Sequence, residues 1–165
     1  MGVGVTDDGN GASTTYFSTK DINAALSRAT DLGATIIVPA PDKAYFEKDL
    51  ETTHTVLPDE LAKHPRKVQV VEVKDEMTLK DDQSEIKIFR FDNPHVDGMV
   101  TVQVVQPNIV WVTDLWSPVR DNAKSAGSEA FEAALKKNGI TGATLAGGHG
   151  ANGKQADLEA ILAAK

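Results

Sequence analysis

The chain has 165 residues, 41% of them hydrophobic and 25% charged, and its 17 basic against 24 acidic side chains leave a formal charge of −7 with a pI near 5.0. Such a chain is long enough to bury a core as a single domain over residues 1–165. It offers no cationic surface for nucleic-acid phosphates and no run of the roughly 20 apolar residues that span a bilayer. With no cysteine there is no disulfide framework and no thiolate metal site, and MGVGVTDDGNG lacks a basic or apolar leader, so a cytoplasmic location is expected.

Residues 1–12, rich in Gly, Asp and Asn, read as a flexible start or wide loop. Ser13 to Ser18 has the β-branched and aromatic content of a short strand. Ile22, Ala25, Leu26 and Ala29 recur at helical spacing, with Ser18 or Thr19 as N-cap and Gly33 as the stop, so Asp21 to Leu32 is predicted helical. Ala34 to Val38 is an apolar run closed by Pro39. Residues 13–38 therefore form a strand, helix, strand unit, most simply with parallel strands.

Short helices are predicted over Asp42 to Leu50 and Pro58 to Lys63, and strands over Lys67 to Val73 and Ile86 to Phe91, where apolar residues alternate. Met99 to Val105 and Asn108 to Val112 form a hairpin around Gln106-Pro107-Asn108. A helix over Ser128 to Lys137 ends at Asn138-Gly139. A short strand, Ala143 to Ala146, and a closing helix, Lys154 to Ala164, complete a mixed α/β chain.

Strand direction locates the candidate chemistry. If the strand at 86–91 points up, 99–105 returns and 108–112 points up again. The helix at 128–137 then crosses over, so 143–146 also points up. His95, Asp114 and His149 each follow one of these three upward strands, so all three fall on one rim of the sheet, where open α/β sheets bind ligands. Two imidazoles and a carboxylate suit a divalent ion such as zinc. Taken singly, each is an ordinary turn or capping residue, and the intervals match no compact ligand motif. His54 and His64 read as surface positions, Trp111 and Trp116 as packing. No triad and no phosphate loop is visible.

Four blocks in order, GATIIVPAPDKAYFEK, NPHVDGM, VTDLWSP and AGGHG, resemble the C-terminal part of a metallo-β-lactamase superfamily protein over about residues 34–165. The resemblance implies a mixed sheet with helices on one face, as in the C-terminal half of an αββα sandwich. It also implies that His95, Asp114 and His149 are metal ligands, the aspartate bridging two ions. The family's first motif, His-x-His-x-Asp-His, is absent: that place reads Tyr16-Phe17-Ser18-Thr19-Lys20-Asp21. Residues 1–40 instead resemble the vicinal oxygen chelate superfamily of glyoxalases and bleomycin-resistance proteins, although they supply none of that superfamily's ligands. Together the two resemblances imply a chimera joined near residues 33–40, with a glyoxalase-like segment at 1–40 and a metallo-β-lactamase-like segment at 41–165.

Three ligands suffice for one weakly held zinc ion, with Asn93, Asp97, Thr113 and Ser117 orienting them, but not for a two-ion clamp. The expected function is a truncated or chimeric metallo-β-lactamase-like domain with a residual zinc-type site and little or no turnover. The alternative is an active metal-dependent hydrolase of esters, thioesters or lactams. Loss of the preceding strands leaves Val70, Ile88, Val102, Val104 and Val110 without part of their cover, so a homodimer packed sheet on sheet is expected.

Overall fold

The computed structural model describes residues 2–7, 13–18, 35–51, 63–64, 67, 69–118, 120–149 and 151–164. The chain divides into two compact units, one of residues 1–37 and 43–71, the other of residues 38–42 and 72–165. No helix among the described residues is long and apolar enough to cross a membrane.

In the first unit β1 (Gly2–Asp7) and β2 (Ser13–Ser18) pair antiparallel, Gly2 opposite Ser18 and Asp7 opposite Ser13. The expected loop at 1–12 thus contains a strand. Its Gly-Val-Gly-Val-Thr run alternates small and β-branched residues, a strand pattern that glycine content disguises. The expected strand, helix, strand unit is corrected too. β2 pairs with β1, whereas β3 (Ile36–Pro39) pairs with β4 (Val70–Val73) in a separate two-stranded sheet, Ile36 N–H donating to the Gln69 carbonyl at 2.9 Å. The partner of β3 comes from more than 30 residues along the chain, beyond the reach of local patterning. A 3₁₀ turn, Ala40–Asp42, leads into α1 (Lys43–Leu50), which buries Leu50. The helix expected at 21–32 and all but the last residue of that expected at 58–63 lie outside the described residues.

The second unit is built on a six-stranded mixed sheet in the order β10-β9-β8-β7-β6-β5. The strands are β5 (Glu76–Lys80), β6 (Glu85–Arg90), β7 (Val100–Val104), β8 (Ile109–Val112), β9 (Thr144–Gly147) and β10 (Gly153–Lys154). β6 and β7 run antiparallel, as do β7 and β8, and β9 runs parallel to β8, as the direction argument requires. The hairpin turns at Asn108, whose φ of 51° lies in the left-handed region that asparagine tolerates. The two outer strands, β5 and β10, had no clear sequence signature, because one has only two apolar residues and the other only two residues in all.

Helices α2 (Ala126–Lys137) and α3 (Gln155–Ala163) supply the side chains that close one sheet face. Phe89, Val110, Val112 and Leu145 from the strands pack with Phe131, Leu135 and Leu158 from the helices. Ser125 caps α2: its Oγ accepts from Ser128 N–H at 3.1 Å, while Ser128 Oγ accepts from Ser125 N–H at 2.9 Å. That reciprocal pair starts the helix before the position its apolar spacing indicates. Gln155 ties the start of α3 to the entry of β9, its Oε1 accepting from Ala143 N–H and its Nε2 donating to the Ile140 carbonyl.

The opposite face carries the row Leu79, Ile86, Val104 and Ile109, one residue from each of four adjacent strands. Two of the residues expected to lack cover do not belong to it. Val110 pairs with Gln103 on the helix-covered side and is fully buried, and Val70 lies in β4 of the other sheet. Ile88 is 6% exposed, and Val102 and Val104 are half-buried. The large apolar side chains of this face that do meet solvent are Leu79, Ile109 and Trp111.

Candidate functional site

β6, β8 and β9 all end on one rim, and each hands the chain to a tight turn. After β6, Phe91 N–H donates to the Met99 carbonyl at 3.3 Å and closes the neck of the loop carrying His95. Asn93 holds the interior, its Oδ1 accepting from His95 N–H at 2.9 Å and Val96 N–H at 3.0 Å while its Nδ2 donates to the Phe91 carbonyl. Arg90 ties the same loop from outside: Nη2 lies 3.2 Å from Asp97 Oδ1 and 3.5 Å from Asp92 Oδ1. The loop ends at Gly98, where φ is 84° and a β-carbon would stand 3.2 Å from Pro39 Cβ, so both conformation and space favour glycine.

After β8, Leu115 N–H donates to the Thr113 carbonyl at 2.7 Å, a three-residue turn with Asp114 at its centre and φ at 59°. Turns of this kind with positive φ are rare and strained for a side chain other than glycine. The turn aims the Asp114 carboxylate along the rim. Thr113 Oγ1 donates to its Oδ2 at 3.0 Å, and His149 Nε2 lies 2.8 Å from its Oδ1. His149 is delivered by the turn after β9, which Gly148 N–H anchors on the Val112 carbonyl at 2.7 Å. Burial pushes the Asp114 carboxyl up, but the Thr113 hydrogen bond, the hydrogen bond and charge of His149 and the charge of His95 together hold it below its ordinary value.

The structure therefore brings Asp114 and His149 into contact and sets His95 near enough to act on the same carboxylate through space. Among the described residues, no three His, Asp or Glu side chains converge on a point where an ion could be held. The donor chemistry suits zinc, whereas the geometry supplies two donors that meet and a third that stands off, which does not fit a three-ligand centre. Of the expected orienting residues, Thr113 touches Asp114, Asn93 holds the His95 amide and Asp97 engages Arg90. Ser117 has its backbone N–H donating to Asp121 Oδ2 at 2.7 Å. His64 is exposed, and His54 lies outside the described residues. Arg90 was missed by sequence reasoning, although a lone arginine closing an apolar strand, with acids two and seven residues on, is a readable signal.

No protein-family model matches the chain, and no curated protein sequence does. Solved structures do. The chain is similar to a metallo-β-lactamase from Pontibacter korlensis (TM-score 0.54, 13% identity, 81% of this chain and 59% of that one). It is equally similar to an archaeal metallo-β-lactamase superfamily protein from Sulfolobus tokodaii (TM-score 0.54, 14% identity, 83% and 60%). A third likeness is to the chemotaxis sensor ODP, solved as a peroxy diiron species (TM-score 0.55, 15% identity, 90% and 69%). At these identities the likeness is one of fold, and the fold is that of the metallo-β-lactamases. The chain spans about three fifths of the length of the first two. Residues 34–165 are only four fifths of the chain, so a match over 90% reaches into the segment assigned above to the vicinal oxygen chelate resemblance. That resemblance and the chimera it implied gain no support from the comparisons.

Proposed function

We propose that this chain is a metallo-β-lactamase-fold domain that keeps a residual zinc-type binding site and has little or no hydrolytic turnover. The observation that supports this reading is the Asp114–His149 contact at 2.8 Å on the rim, with no third donor among the described residues converging on it. Asp114 and His149 would hold an ion only by giving up their bond to each other, and His95 would complete the set only by moving toward them. Both requirements lower affinity. Asp114 Oδ1 meets His149 Nε2 directly, so an ion placed between them replaces an existing hydrogen bond, whereas Oδ2 accepts from Thr113 and keeps a free lone pair. The chemistry of hydrolysis in such folds needs an ion that is firmly placed and keeps an open coordination position.

Calorimetric titration of the purified chain with zinc tests the reading, followed by assay of ester, thioester and lactam substrates with and without the metal. Weak binding that His95→Ala, Asp114→Ala and His149→Ala each reduce, with no chelator-sensitive turnover, is the expected result. Zinc affinity unchanged in all three variants would remove the site. Turnover abolished by chelator and by Asp114→Asn would replace this reading with an active metal-dependent hydrolase.

A further inference from the structure

We propose that β5 is a self-pairing edge through which two copies of this chain join antiparallel along Glu76–Lys80, continuing the six-stranded sheet across a twofold axis. β5 ends the sheet, and among the described residues no strand pairs with its outer side. Glu76, Thr78, Leu79 and Lys80 are exposed, and the strand contains no proline to blunt it.

The hydrogen-bond phase of this strand follows from its two ends. The Asp75 carbonyl accepts from Arg90 N–H at 2.7 Å, and Asp81 N–H donates to the Ser84 carbonyl at 3.0 Å. In an antiparallel ladder alternate residues face the same neighbour, so Asp75, Met77, Leu79 and Asp81 turn their backbone groups to β6. Glu76, Thr78 and Lys80 turn theirs outward. A twofold axis at Thr78 then sets Thr78 opposite itself, Glu76 opposite Lys80 of the second copy and Lys80 opposite Glu76 of the second copy. All three are hydrogen-bonded pairs.

The side chains agree with that register. Glu76 and Lys80 carry opposite charges, and Glu76 has no ion-pair partner among the described residues. Lys80 reaches Glu85 at 3.1 Å and remains two-thirds exposed. On the other face Met77 falls opposite Leu79 of the second copy, in the closer, non-hydrogen-bonded type of pair. This would cover the exposed Leu79 and continue the apolar row of Ile86, Val104 and Ile109. Moving the axis to Glu76 or to Lys80 opposes like charges, and moving it to Met77 or to Leu79 parts Glu76 from Lys80, so the register centred on Thr78 is the one that pairs opposite charges. A second copy is thus the occupant whose pattern complements this edge.

Sedimentation velocity across the micromolar range tests the proposal. The wild-type chain is expected to dimerise. Glu76→Lys, which faces Lys80 of the second copy, should weaken the dimer by roughly tenfold or more. Adding Lys80→Glu to that variant should restore it. Thr78→Pro, which removes an outward N–H at the axis, should give monomers with unchanged circular dichroism. A wild-type chain that stays monomeric would overturn the proposal, as would a dimer that survives Glu76→Lys, the outcome expected of face-to-face packing or of a different strand. Because the charge exchange needs no proline, its result stands even if Thr78→Pro fails to fold.

Discussion

Gly148 packs on Thr113 so closely that a β-carbon there would stand 2.8 Å from the threonine Oγ1 and 3.1 Å from Trp111 Cζ2. The same hydroxyl donates to Asp114 Oδ2, so the turn that delivers His149 and the residue that steadies Asp114 share one contact. Gly148→Ala forces Thr113 or Trp111 to move. Overpacking of this kind costs about 1–3 kcal/mol. Urea denaturation should show that loss, and the Asp114 and His149 side-chain resonances should shift in the folded variant.

Asn93 makes three hydrogen bonds within its own loop, two of them to the amides of His95 and Val96. Asn93→Ala leaves those amides to water and is expected to lower global stability by on the order of 1 kcal/mol. Amide exchange at His95 and Val96 should accelerate well beyond the global change. Equal protection in the two proteins would show that Arg90, Asp92 and Asp97 hold the loop without it.

Leu145 lies at the centre of β9, fully buried between Val110 and the helices. Leu145→Ala should cost about 2–5 kcal/mol in chemical denaturation. Ser125→Ala, which removes one half of the reciprocal cap on α2, should cost about 0.5–2 kcal/mol. The ranking separates packing from capping: the reverse order would mean that the core around β9 closes over the cavity.

The Asp81 carboxylate accepts the backbone N–H groups of Gln83 and Ser84, each at 2.8 Å, and those two bonds hold its carboxyl below the ordinary 3.8. A carboxyl lowered in the folded state contributes stability that is present in full above the unfolded value and is lost as pH falls through the folded one. The amide shifts of Gln83 and Ser84 should therefore titrate with a midpoint below 3.8, and Asp81→Asn should abolish that titration. A midpoint at or above 3.8 would contradict the turn geometry.

Strand directions were legible because they depend on local facts: apolar alternation in Ile86 to Phe91, a proline turn at 106–108, and a helix long enough to cross over before Ala143. Placing His95, Asp114 and His149 on one rim needed nothing more. The alternation also showed that β8 has one inward face, but not that Val110 turns to the helices rather than to the open side. That depends on cross-strand register with Gln103 and Leu145. β1 was hidden by its glycines and β5 by its charged ends, both of which resemble loop composition.

By itself the sequence determined the order and direction of the central strands and which polar residues end them, since periodicity and turn chemistry act over a few neighbouring residues. Tertiary structure alone decided which strands pair at long range and which side of β8 is covered. It also decided that the left-handed turn at Asp114 brings its carboxylate to His149. Those outcomes depend on side-chain reach and backbone register between segments tens of residues apart, which no local pattern encodes.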